Sequence, residues 1–149
     1  MKSTKIAIGS DHAGFAAKEE LKKFLEEKNY EVIDCGTDSE NSCDYPDYGK
    51  KVAFAIKEQK ADFGVVICGT GIGISIAANK VKGIRAGIAY TDEVASLIRQ
   101  HNNCQIIAFG ARFMNIDDMK RRLEIFLNSE FEGGRHLRRV NKIEEVVVE

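Results

Sequence analysis

The chain has 149 residues, of which 44% are apolar and 30% charged, with a formal net charge of −1. This length suits one domain, residues 1–149, with a real buried core, and the charge balance gives no electrostatic case for nucleic acid or an anionic membrane. No stretch approaches the roughly 18 apolar residues of a membrane helix and the first apolar run is too short for a secretory signal, so a cytoplasmic protein is expected.

Lys5–Gly9 reads as a strand, and Ala13–Lys28 as a helix with Phe15, Leu21, Phe24 and Leu25 along one face. Glu31–Cys35 is a second strand, followed by a polar loop from Gly36 to Cys43. Pro46, the only proline, fits the start of a helix reaching about Gln59. Phe63–Ile67 is a third, β-branched strand that runs into Cys68-Gly-Thr-Gly-Ile-Gly73, and Ile72–Lys80 continues as a helix. Ile84–Ala89 is a fourth strand, after which Thr91 caps a helix to about His101. Gln105–Phe109 is a fifth strand, and Asn115 caps a helix over Ile116–Asn128. A last helix begins near Gly134 and ends near Glu145. Five strands alternating with helices predict an α/β domain around a parallel sheet, whose ligands collect beyond the carboxyl ends of the strands.

The chemistry-bearing residues lie at those ends. The glycines after strand three form a strand-to-helix turn, where unpaired N–H groups and the helix dipole favour negative charge. A thiol there, Cys68, is a candidate base or nucleophile, although a cysteine at a tight turn also serves as core filler. Gly69-x-Gly71-x-Gly73 does not satisfy the dinucleotide fingerprint, because position 74 is isoleucine, and the chain has no Walker A loop. What remains is a nest of amides from Gly69 to Gly73, with the Thr70 hydroxyl beside it, suited to a small anion or oxyanion. Arg135 and Arg139, at i and i+4, form a candidate phosphate clamp, with His12 and Arg112 as further donors. His101 is either a helix-terminal histidine or an acid/base near neutral pH, and His136 receives no role. The cysteines at 35, 43, 68 and 104 show no zinc spacing, so free thiols and no metal are expected.

Several motifs then fall together in order: Ser-Asp-His-Ala-Gly (10–14), Asp-Tyr-Pro (44–46), Cys-Gly-Thr-Gly-Ile-Gly-Ile-Ser-Ile-Ala-Ala-Asn-Lys (68–80) and Gly-Ile-Arg-Ala (83–86). His-Asn-Asn (101–103), Ala-Phe-Gly-Ala-Arg (108–112) and Glu-Gly-Gly-Arg-His-x-x-Arg-Val (132–140) complete the set. Over nearly its whole length the chain resembles the ribose-5-phosphate isomerase B family, which also holds the galactose-6-phosphate isomerase subunits. Cys68 is similar to the cysteine of one branch, where other members use a carboxylate.

The resemblance implies a Rossmann-like three-layer sandwich: a five-stranded parallel sheet with helices on both faces and a C-terminal helix. It implies interconversion of ribose 5-phosphate and ribulose 5-phosphate, a step of the pentose phosphate pathway, without metal or cofactor. A homodimer or dimer of dimers with shared sites is implied too. His101, aided by Asp11, would open the sugar ring, and Cys68 would move the proton between C2 and C1. Thr70 and the Gly69–Gly73 amides, Ile72 included, would hold the enediolate. Arg135, Arg139, Arg112 and His12 would bind phosphate, with Tyr45 and Asn102 lining the sugar pocket. Isomerases of allose or galactose 6-phosphate share these requirements. A non-enzymatic sugar-phosphate sensor would keep the arginines without needing the thiol, and a small flavoprotein would use the same strand ends.

Overall fold

Among residues 3–145, which a computed structural model describes, five strands form one parallel sheet. They are β1 (Lys5–Ser10), β2 (Glu31–Asp34), β3 (Phe63–Cys68), β4 (Ala86–Ile88) and β5 (Ile106–Gly110), in the order β2-β1-β3-β5-β4. The ends of the expected 1–149 unit, residues 1–2 and 146–149, lie outside the described residues. Successive side chains of a strand point to opposite faces, and here the two faces differ in bulk. Ile6, Ile8, Val65, Ile67, Ile107 and Phe109 face one core; Ala7, Val66, Cys68 and Ala108 face the other.

Among the described residues six α-helices follow in chain order: α1 (Phe15–Glu27), α2 (Tyr45–Lys57), α3 (Ile72–Asn79), α4 (Asp92–Gln100), α5 (Ile116–Leu127) and α6 (Arg135–Glu144). The bulky face packs on α1, α4 and α5 through Leu21, Leu25, Ile98, Leu123 and Phe126. Burying each such side chain contributes about 1.5–3 kcal/mol. The small-residue face takes α2 and α3, through Val52, Ala53, Ile74 and Ala78. This is the Rossmann-like three-layer sandwich that the sequence led us to expect.

Helix starts follow local chemistry. Thr91 Oγ1 accepts from Val94 N–H at 3.1 Å and Asn115 Oδ1 from Asp118 N–H at 2.8 Å, as the caps of α4 and α5. Pro46 occupies the first turn of α2. Most boundaries fall within one or two residues of expectation, and two departures have a clear local cause. The first helix opens as a 3₁₀ turn over His12–Gly14, because Asp11 Oδ1 accepts from Gly14 N–H at 3.1 Å and tightens the entry. Strand β4 is shorter than Ile84–Ala89. Ile84 N–H bonds back to Val81 in a turn and Arg85 N–H goes to the Gln105 side chain, leaving three residues for the ladder.

Topology sets the position of the site. The chain leaves β1 for β2 on one side and returns as β3 on the other, which opens a crevice between the carboxyl ends of β1 and β3. Because β5 inserts between β3 and β4, the segment after β5 also lies beside the end of β3. Ala111 N–H donates to Cys68 O at 2.8 Å and Arg112 N–H to Gly69 O at 3.0 Å. Helix α6 is held by a different contact. Glu144 pairs with Arg85, whose Nε and Nη2 donate to Asn102 O and Asn103 O at 3.0 Å each.

Candidate active site

At the carboxyl edge, the β3–α3 turn carries the sulfur. Gly71 has φ +81, and a side chain there would meet the Phe109 backbone at 2.9 Å, so only glycine lets the turn press onto β5. In that conformation Gly71 N–H donates to Cys68 Sγ at 3.2 Å, and Ile72 N–H to Thr70 Oγ1 at 3.1 Å. Two of the amides expected to form an open anion nest are therefore already engaged. Gly73, in the first turn of α3, keeps an N–H with no partner inside the helix. Thr70 Oγ1 accepts from an amide, so its own hydroxyl proton remains available to a ligand.

A cleft of about 360 Å³ opens over this turn. Cys68 forms its floor, almost fully buried, with Thr70 and Gly73 beside it. The walls come from Asp11, Tyr45 and Arg112. The Tyr45 ring lies across Gly73, where a side chain would collide with it at 2.5 Å, and the Arg112 guanidinium lies across Gly69. Asp11 is buried and uses Oδ1 on Gly14 N–H. Next to it, His12 Nδ1 accepts from Cys43 N–H at 3.2 Å. That bond assigns the ring proton to Nε2, leaving a donor on the outer side of the imidazole.

The remaining expected residues lie at the opposite edge of the sheet. Helix α4 runs back from the carboxyl edge, and His101 is its C-cap. His101 and Asn102 therefore precede the amino end of β5, where Ile106 is level with Gly64 of β3. Cys68 lies four residues further along, about 13 Å at the ~3.3 Å rise of a strand residue. Around His101 a second cluster forms. Its ring stacks on His136 with centroids 4.1 Å apart and planes 9° apart. Glu132 Oε1 lies 3.6 Å from Nε2 of each histidine. Burial first, and then the His101 and Arg135 charges, hold His136 below the ordinary imidazole value. Arg135 and Arg139 start the same helix. Within one chain, then, Asp11, His12, Tyr45, Cys68–Gly73 and Arg112 gather at one edge; His101, Asn102, Arg135 and Arg139 gather at the other.

Burial pushes Cys104 up to about 11 and also raises Cys35. His136, Glu132 and Cys43 had no role in the sequence reading. The contacts that make them interesting are tertiary, and only the run from Glu132 to Arg139 hinted at them.

The sequence model of the Ribose/Galactose Isomerase family matches residues 6–143. Ribose-5-phosphate isomerase B of Escherichia coli K12 is 47% identical over 139 residues, covering 93% of each chain. Among solved structures, ribose-5-phosphate isomerase B of Clostridium thermocellum superposes with a TM-score of 0.94 at 50% identity, covering 95% of both chains. A ribose 5-phosphate isomerase of Thermotoga maritima gives 0.95 at 48% identity, over 97% of this chain and 100% of its own.

Proposed function

Since the chain belongs to the ribose/galactose isomerase family and is a ribose-5-phosphate isomerase, we propose that Cys68 is its base and that a second copy of the chain completes each site. One observation carries the first part of this reading. The Cys68 sulfur lies at the floor of the cleft with one amide on it and a free hydroxyl donor, Thr70, beside it.

In this reading the partner's His101 faces the sugar ring oxygen together with Asp11, and opens the furanose. Cys68, as thiolate, takes the proton from C2, and the electron pair moves onto the C1 carbonyl oxygen to give a cis-enediolate. Return of that proton to C1 gives the ketose, with O2 losing and O1 gaining a proton. Thr70 and the Gly73 amide donate to the oxygen where charge develops, and such a donor lowers a barrier by about 3 kcal/mol. Arg112 and the His12 Nε2–H reach from the same chain. Arg135 and Arg139 of the partner grip the phosphate and so fix the reacting carbons with binding energy gained away from them.

Two features support the shared site. His101 and Cys68 lie at opposite edges of one sheet, too far apart for proton transfer to one sugar. Beside the cleft, Ile72, Ile76, Tyr90 and Phe113 leave more than half of their surface exposed. Of these, Ile72, Tyr90 and Phe113 line a hollow of about 680 Å³ with Ile88, and this apolar face suits burial between two copies. A cytoplasmic homodimer, or a dimer of dimers, is the assembly we propose. Among the described residues no helix is long and apolar enough to cross a membrane.

Cys68→Ser tests the base. Turnover of ribose 5-phosphate should fall by about a hundredfold or more, with KM little changed. Normal turnover would remove Cys68 from the chemistry.

A further inference from the structure

Glu132 occupies a constrained place beside two stacked histidines. Its backbone N–H donates to Gln100 O at 3.0 Å, which attaches the loop before α6 to the end of α4, one residue before His101. From that anchor the carboxylate reaches Nε2 of both His101 and His136 at the same distance, 3.6 Å. This exceeds a direct hydrogen bond but lies within ion-pair range.

The trio is poorly shaped for a metal. The rings are stacked 9° from parallel, so their in-plane lone pairs run side by side instead of converging. Arg135 and Arg139 also bring positive charge to His136. A carboxylate beside an imidazole that exchanges a proton has a different use: it fixes the ring and offsets the charge that appears on it. His136 stacks on a face of that ring and restricts its rotation.

We infer that Glu132 is a positioning residue for ring opening, holding His101 against His136 and balancing the charge His101 takes up while a proton passes to and from the furanose oxygen. This rests on the ring-opening role proposed above for His101. Glu132 does not touch the reacting carbons, so it should leave the enolisation at Cys68 alone.

The substrates separate the two steps. Ribose 5-phosphate closes a furanose through O4. Ribulose 5-phosphate has its C5 hydroxyl esterified, so it has no hydroxyl placed to close a five-membered ring on C2 and enters the site open. Uptake of deuterium at C1 of ribulose 5-phosphate in D2O therefore reads enolisation without ring opening. In the full-length enzyme, Glu132→Gln should lower turnover of ribose 5-phosphate about tenfold or more. KM should stay within about twofold, as for a group acting on the chemical step alone. Deuterium uptake should remain at the wild-type rate, and Glu132→Asp should recover part of the loss. Half of the Glu132 side chain is exposed, so the thermal midpoint should not move.

Wild-type turnover in Glu132→Gln, or an equal loss in turnover and deuterium uptake, would overturn the inference. His101→Asn, measured alongside, locates the failure. If it spares ribose 5-phosphate turnover, the ring-opening role of His101 is wrong. If it abolishes turnover while Glu132→Gln does not, only the role of Glu132 falls.

Discussion

The division of site residues between two edges of the sheet makes a quantitative prediction about mixed dimers. In the homodimer proposed above, Cys68→Ala and His101→Asn should each inactivate both sites. In a 1:1 random mixture half of the dimers are mixed, and in a two-fold symmetric dimer each site takes Cys68 from one chain and His101 from the other. A mixed dimer then has one site with both residues intact and one with neither. Half of the dimers with half of their sites restored gives about 25% of wild-type activity. The structural basis is the strand register: Ile106 is level with Gly64, and Cys68 is about 13 Å further along the sheet at ~3.3 Å per residue. Proton transfer to one sugar needs each group within about 3 Å of it. The assay is turnover of ribose 5-phosphate after the two variants are unfolded together and refolded, against each refolded alone. If both residues served one site from one chain, every site of the mixture would still lack one of them. Activity no higher than that of the separate variants would refute the shared site.

Gly71→Ala should destabilise the chain by about 2 kcal/mol, combining the left-handed backbone penalty with the collision at Phe109; Gly83→Ala, at φ +86 with open space around it, should cost only about 1 kcal/mol. Chemical denaturation of both variants checks the difference, and equal losses would show that the contact with β5 carries no strain. Asp34→Asn addresses Lys18, which is fully buried and pairs with Asp34 at 2.7 Å and Glu19 at 2.8 Å. With Glu19 still present and Asp34 partly exposed, the loss should be about 2 kcal/mol, below the ~3–5 of a fully buried broken pair. Burial opposes ionisation of Asp34, but hydrogen bonds from Lys18, Lys22 and Gly36 outweigh it and hold the carboxyl below its ordinary value. Its contribution is thus complete above about pH 4 and is lost as pH falls through the lower folded value. The gap between wild type and Asp34→Asn should be flat from about pH 5 to 8 and shrink in stronger acid; a constant gap at every pH would assign the effect to packing.

The turn at Cys68 was readable because two local signals meet there, a β-branched run and glycines at alternating positions. Caps at Thr91 and Asn115 were readable for the same reason, each side chain bonding an amide three residues on. Strand order was not readable. Nothing local to Ile106–Gly110 says that it enters between β3 and β4, yet that insertion puts Arg112 over Gly69 and leaves His101 at the far edge. The amide nest was only partly legible, since Cys68 and Thr70 engage two of its members through side-chain geometry that sequence does not display. Sequence does not single out His136, because its partner is 35 positions away and meets it only once α6 has docked.

Arg85 gives that docking a thermodynamic meaning. Its guanidinium joins two carbonyls of the loop after His101 to Glu144 at the far end of α6. Glu132 secures the near end through Gln100. A helix fastened at both ends presents Arg135 and Arg139, the phosphate clamp proposed above, on a backbone that is already ordered, so phosphate binding there need not pay to order the helix. Loosening Arg85 would remove no contact to the phosphate; weaker binding would appear in a calorimeter as a less favourable entropy, with the heat of the arginine contacts largely kept.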